Sequence, residues 1–153
     1  MSQRNIGWSL VLVQVVLLLT LILLPGRDDW TISETVRLVA NIFFYGGLVI
    51  IAVAFFGLGT ALTATPVPKD GSSLKTGGLY RLVRHPIYTG VLAVVIGMTL
   101  GSGSYITLAV GLTTIVFFNL KARWEELQLV DRFGPEYSDY MSRTPRFVPR
   151  LVN

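Results

Sequence analysis

Residues 6–24 read IGWSLVLVQVVLLLTLILL, nineteen positions in which only Ser9, Gln14 and Thr20 interrupt the apolar run. At about 1.5 Å of rise per residue, a helix of this length crosses a hydrocarbon layer roughly 30 Å thick. A secretory signal peptide is the competing reading. The run is long for that role, only Arg4 precedes it among charged residues, and Pro25-Gly26-Arg27-Asp28-Asp29 lacks a small-x-small cleavage site. The stretch is therefore read as a spanning helix, and the chain as an integral membrane protein.

The rest of the sequence agrees with that start. Of 153 residues, 52% are hydrophobic and only 14% charged, a composition that needs lipid to cover it. Val36 to Leu58 forms a second apolar run, with Ser33 or Thr35 able to cap it. Arg37 sits near its end, where its side chain can snorkel, and the deeper Asn41 is expected to hydrogen-bond another helix. Ile87 to Leu100 and Ile106 to Leu120 follow, joined by Gly101-Ser102-Gly103-Ser104. Each is short for a span, and together they read as a hairpin that crosses and returns, with Pro86 in its first turn. The expected fold is all-α, a single membrane domain over 1–153 with about four transmembrane helices near 6–24, 36–58, 86–101 and 104–121. A cytoplasmic loop, 59–85, separates the second and third spans. Gly46-Gly47 and Gly97 could support helix contacts; the oligomeric state stays open.

Behind the fourth span the chain turns polar, and residues 122–153 are expected to form a cytoplasmic tail. Lys121 to Arg132 is amphipathic at helical spacing, and Gly134-Pro135 stops it. Tyr137, Tyr140 and Met141 suggest a short interfacial helix before Pro145-Arg146-Phe147-Val148-Pro149-Arg150 ends in extended form.

Four crossings put the N-terminus, the long loop and the tail on one side, and that side carries 11 of the 13 Lys and Arg residues. The positive-inside rule places it in the cytoplasm, so both termini face inward across a plasma membrane, expected to be bacterial. The net charge of +4 is thereby explained without nucleic acid.

The remaining polar residues collect in Ser72 to Gly90 and in Lys121 to Pro149, which the hairpin returns to one another at the membrane surface. There is no Cys and only one His, so thiolate chemistry, disulfides and a poly-His metal centre are excluded, and no metal site is expected. His85, between Arg84 and Pro86, reads either as a helix-start residue or as part of a site. Tyr80 and Tyr88 read as interfacial aromatics or as site walls. Lys121 and Glu125, four apart, could form a surface ion pair. Glu125-Glu126 just below a membrane helix calls for a partner, for which a sulfonium or ammonium is suitable. Arg146 could bind lipid headgroups.

The series Gly77-Gly78-Leu79-Tyr80-Arg81-Leu82-Val83-Arg84-His85-Pro86-Ile87-Tyr88-Thr89-Gly90, an apolar hairpin, Glu125-Glu126, Phe133-Gly134-Pro135-Glu136-Tyr137 and Pro145-Arg146-Phe147-Val148-Pro149 resembles the isoprenylcysteine carboxyl methyltransferase family, with phospholipid methyltransferases as wider kin. The resemblance covers roughly residues 60 to 150. It implies a methyltransferase that uses S-adenosyl-L-methionine on a lipophilic small-molecule or lipid acceptor among the membrane lipids. It further implies that Ser72, Ser73, Leu74, Lys75 and Tyr80 line the cofactor from the loop, that His85, Pro86, Ile87 and Tyr88 wrap it, and that Glu125 holds a polar end. His85, Tyr88, Lys121 and Glu126 are the implied catalytic group. Lys121 stands where the eukaryotic enzymes have an Arg, keeping the charge without the bidentate fork. Methyl transfer from a sulfonium is an in-line displacement that mainly needs alignment; a carboxylate acceptor needs no base, whereas an amine or hydroxyl would need His85 or a Glu. No glycine-rich loop lies between a strand and a helix, which excludes a soluble dinucleotide-type cofactor fold. A non-enzymatic scaffold or sensor retaining the fold is the alternative, and a small transporter a more distant one.

Overall fold

A computed structural model describes residues 3–58 and 74–150. Among the described residues there are five α-helices: α1 Gln3–Leu23, α2 Glu34–Leu58, α3 Pro86–Gly101, α4 Tyr105–Phe133 and α5 Pro135–Arg143, with a 3-10 turn at Gly78–Arg81 ahead of α3. No strand occurs among the described residues. By length and apolar composition, α1, α2 and α4 can each cross a membrane. The α3 helix is apolar but shorter, 16 residues, or about 24 Å of rise.

The apolar side chains that would be a liability in water point outward. Leu12, Val16, Leu19 and Ile22 of α1 and Leu38, Ile42, Val49 and Phe56 of α2 are all exposed, as a lipid-facing surface requires. With lipid outside, burial of apolar area does little to hold helices together, and close packing must do so. Between α2 and α3 that packing is backbone against backbone. A Cβ at Gly47 would lie 2.6 Å from the Gly90 carbonyl oxygen, and one at Gly90 would lie 2.7 Å from that of Gly47. About two turns further along both helices, a Cβ at Gly97 would meet the Ala40 oxygen at 2.6 Å. The expected contacts through Gly47 and Gly97 are therefore found, whereas Gly46 faces open space.

The same arrangement corrects the expectation for Asn41. Helix α3 lies on the Ala40–Gly47 side, so Asn41 is left exposed, and no hydrogen bond ties it to another helix among the described residues. Ser33 supplies the α2 cap, its Oγ accepting from Val36 N at 3.3 Å.

Helices α3 and α4 form an antiparallel pair: Tyr88 in the first turn of α3 touches Phe118, while Thr99 near its end packs on Gly111. At the turn between them Gly103 adopts φ +60°, and Ser104 caps α4 by accepting from Thr107 N. The α1–α2 connection braces this turn, with Arg27 N donating to Ser102 O and Asp29 N to Gly103 O, both at 3.0 Å. Asp29 Oδ2 also accepts from Tyr105 N at 2.9 Å.

The boundary expected between the fourth span and the tail at residue 121 falls within one continuous helix. Helix α4 runs unbroken to Phe133, because no helix breaker precedes Gly134, whose φ of +55° ends it and whose Pro135 neighbour starts α5. Its last three turns thus carry Glu125 and Glu126 on the same rigid rod as the span. Beyond α5, residues 145–150 are non-helical, but the extended end expected there is bent at 146–148; the segment runs beside the start of α3.

Candidate functional site at the start of α3

The residue before a proline is pushed out of the helical region, and His85 takes φ −123°, ψ 64°. Its backbone N–H is therefore available outside the helix, and donates to Arg146 O at 3.1 Å. Arg84 N donates to Pro145 O at 2.8 Å and Thr89 Oγ1 to Phe147 O at 2.9 Å, so the tail is stitched along the helix start. The His85 side chain makes no cap bond; it is buried between the paired carboxylates, with Nδ1 3.8 Å from Glu125 Oε2 and Nε2 3.3 Å from Glu126 Oε1.

Those carboxylates face different company. Glu126 is enclosed by two guanidinium groups. Its Oε1 accepts from Arg84 Nε at 2.9 Å and Nη2 at 2.7 Å, and from Arg146 Nε at 3.0 Å. Its Oε2 accepts from Arg146 Nε at 3.1 Å and also from Arg146 Nη2. The two arginines reach further. Arg84 Nη1 donates to Met141 O at 3.1 Å and to Thr144 O, capping the end of α5, and Arg146 Nη1 donates to Asn119 Oδ1 at 3.2 Å. Hydrogen bonds with Glu126 hold the Arg146 guanidinium charged beyond its ordinary range, against the opposing effect of burial. Glu126 thus ties α3, α4, α5 and the tail into one knot.

Glu125 is more open, with 23% of its side chain accessible, and accepts from Tyr88 Oη at 2.8 Å through Oε2. Around it stand aromatic faces. The Tyr88 ring stacks on His85, with centroids 5.3 Å apart and planes 6° from parallel; Phe147 leans on His85 at 6.0 Å. Tyr80 is buried nearby, its phenol pushed up to about 12 by burial and then by the Glu125 charge. Tyr140 Oη donates to Tyr80 O, and burial pushes the Tyr140 phenol up to about 12 as well. Tyr137, fully buried against Tyr140, has its hydroxyl without a partner among the described residues.

Lys121 does not form the surface ion pair that its spacing from Glu125 allowed. It is 4% exposed, and its Nζ donates instead to Gln14 Oε1 of α1 and lies 5.3 Å from the centre of the Tyr88 ring.

Of the residues singled out by sequence, the fold brings together Tyr80, His85, Tyr88, Lys121, Glu125 and Glu126. Pro86 is buried at the first helical position and Ile87 half-buried beside it. Leu74 is half-buried and Lys75 exposed, at the edge of the described chain, and Ser72 and Ser73 lie outside the described residues. Arg84, Phe147 and Gln14 were missed. The first two lie within motifs already quoted, in Arg-His-Pro and Pro-Arg-Phe; Gln14 showed only as a polar interruption in an apolar helix.

An all-helical membrane protein with a carboxylate and aromatic cluster at one end of a helical hairpin is the class so defined. Residues 35–136 match the family described as phospholipid methyltransferase, and the chain belongs to that family. It is 34% identical over 97 residues to methanethiol S-methyltransferase 2 of Bradyrhizobium diazoefficiens, covering 63% of this chain but only 37% of that enzyme. The chain thus spans well under half of that relative. It is 27% identical over 164 residues to the protein-S-isoprenylcysteine O-methyltransferase of Schizosaccharomyces pombe, covering 96% of this chain and 70% of the enzyme. A nickel-cobalt-cadmium resistance protein of Alcaligenes xylosoxydans xylosoxydans is 30% identical over 153 residues, with 99% and 67% covered.

Proposed function

We propose that this protein transfers a methyl group from S-adenosyl-L-methionine to a lipophilic acceptor at the cytoplasmic face of the membrane. In this reading α3 completes a fourth span, and both termini and the 59–85 loop lie in the cytoplasm. The observation that carries the proposal is the meeting of Glu125 with His85, Tyr88 and Tyr80 at the start of α3.

The residues present suit a cationic cofactor. Glu125 offers a partly accessible carboxylate with Oε2 held by Tyr88, and Phe147, leaning on His85, adds an aromatic ring of the kind a sulfonium or ammonium prefers. Glu125 would hold the amino end, while Tyr80, His85, Pro86, Ile87 and Tyr88, with Ser72, Ser73, Leu74 and Lys75 of the loop, would enclose the rest. When bound, the cofactor supplies an electrophilic methyl group. The protein's own work is then alignment: Tyr88 fixes the Glu125 carboxylate, and Phe147 and Tyr88 fix the His85 ring from two sides. His85 is positioned to take a proton if the acceptor is an amine or a hydroxyl. Glu126, saturated by Arg84 and Arg146, is assigned here to holding His85 rather than to meeting the acceptor.

Calorimetric titration of S-adenosyl-L-methionine into folded, detergent-solubilised protein tests the reading, followed by the appearance of radiolabelled methyl in extracted lipid. Folded protein that binds no cofactor would overturn it. Cofactor binding without any transfer would favour the alternative, a non-enzymatic scaffold or sensor that retains the fold.

A further inference from the structure

A hydrogen-bonding group that faces hydrocarbon needs a partner from the protein, because lipid tails supply none. Most polar side chains on the spanning helices meet that need within their own helix. Ser9 Oγ donates to Asn5 O at 3.0 Å and Thr20 Oγ1 to Val16 O at 2.8 Å. On α4, Thr113 Oγ1 donates to Ala109 O at 2.9 Å and Thr114 Oγ1 to Val110 O at 2.8 Å. Gln14 is met by Lys121, and Asn119 by Arg146. Two exposed groups on α2 differ. Asn41 and Tyr45, one turn apart, lie about 10 and 16 Å into a helix apolar enough to cross the membrane. Tyr45 is 64% exposed and Asn41 is exposed too, and neither amide nor phenol has a hydrogen-bond partner among the described residues.

Their place on the helix adds a second observation. Helix α3 covers the side of α2 that carries Ala40, Phe44, Gly47 and Ile51. Asn41, Tyr45, Leu48 and Ala52 each follow one of those residues. They form a second stripe with the same alternation of four and three positions, turned by about 100° around α2. All four are exposed, and α1 packs on α4 rather than over them. Alternating fours and threes is the spacing by which two parallel helices keep one seam in contact along their length.

We infer that this stripe is the interface with a second copy of the chain, α2 against α2 about a twofold axis along the membrane normal. Two copies inserted in the same direction hold Asn41 at the same depth, and such an axis brings the two amides face to face. A carboxamide carries both donors and an acceptor, so an identical group completes it, each Nδ2 donating to the other Oδ1. Leu38, three positions before Asn41, and Leu48, seven after it, are 61% and 44% exposed and supply apolar layers on either side. The inference goes beyond the methyl-transfer reading and stands without it, needing only that α2 spans the membrane.

The test uses full-length protein carrying Asp28→Cys as its sole cysteine, labelled with donor or acceptor dye and reconstituted into phosphatidylcholine vesicles at falling protein-to-lipid ratios. Wild type is expected to show energy transfer above that of random proximity. Asn41→Leu is expected to weaken self-association about fivefold, and Asn41→Gln, which keeps an amide, to retain it. A second measurement leaves Asn41 in place. On oxidation Leu38→Cys is expected to form disulfide-linked dimers, whereas Val39→Cys, its exposed neighbour about 100° around the helix, is not. Energy transfer no greater than random for wild type would overturn the inference and leave the stripe to some other membrane partner. So would an Asn41→Leu protein that associates like wild type, or cross-linking through residue 39 in place of 38.

Discussion

At the scale of single residues, two adjacent carboxylates have been given separate tasks by what surrounds them. Glu126 is saturated by two arginines and is read as structural; Glu125 keeps accessible surface among aromatic rings and is read as the cofactor's partner. Glu126→Gln removes the charge that Arg84 and Arg146 share and leaves two guanidinium groups facing a neutral amide. Breaking a buried ion pair from one side is expected to cost about 3 kcal/mol, seen as a lower thermal unfolding temperature in detergent. Glu125→Ala and His85→Ala are expected instead to weaken cofactor binding at least tenfold, about 1.4 kcal/mol each, by calorimetry. The tyrosines set an alkaline limit. Tyr80 and Tyr140 are held protonated in the fold, their phenols pushed up to about 12 from an ordinary value near 10. An acid whose folded pKa lies above its unfolded one gives stability that is complete below about pH 10 and is lost as pH rises through about 12. Absorbance titration of tyrosinate should show a late phase near pH 12, diminished in Tyr80→Phe; a single phase near 10 would contradict the burial of both rings.

At the scale of elements, the α2–α3 pair depends on two glycines whose backbones nearly touch. Gly90→Ala would put a methyl group 2.7 Å from the Gly47 oxygen and from Ile51 Cγ1, and 2.9 Å from Ile51 N, so the helices must separate. A loss of about 1–3 kcal/mol is expected in thermal melts. Gly46→Ala, which meets nothing within 4 Å, serves as the control and should stay within about 0.5 kcal/mol of wild type. Sequence showed these glycines as candidates for helix contact but could not separate Gly46 from Gly47. Adjacent positions on a helix differ by about 100° in direction, and only the placement of α3 decides which one faces it.

At the scale of the whole molecule, the proposed topology puts the tail and the loop on one side and the α1–α2 connection on the other. The chain has no cysteine, so single cysteines report cleanly on sidedness. Cysteines at Lys75 and Arg143, both exposed, should react with a membrane-impermeant maleimide only when the cytoplasmic face is open, and one at the exposed Asp28 only from the opposite face. Labelling of all three from one side would refute the four-span arrangement.

The sequence by itself determined the membrane character, the helical class, the hairpin and the motifs that meet, because apolar run length and helix punctuation are local signals that lipid and backbone chemistry read directly. It also identified His85, Tyr88, Lys121, Glu125 and Glu126 as residues to watch. Only the tertiary structure decided their company: Glu126 between Arg84 and Arg146, Glu125 bonded to Tyr88, and Lys121 turned away from its neighbour on α4 towards Gln14 on α1. These partners lie up to 107 positions apart along the chain, and no spacing rule links them. Which acceptor receives a buried charge is settled by how helices pack, and that packing is a property of the assembled bundle.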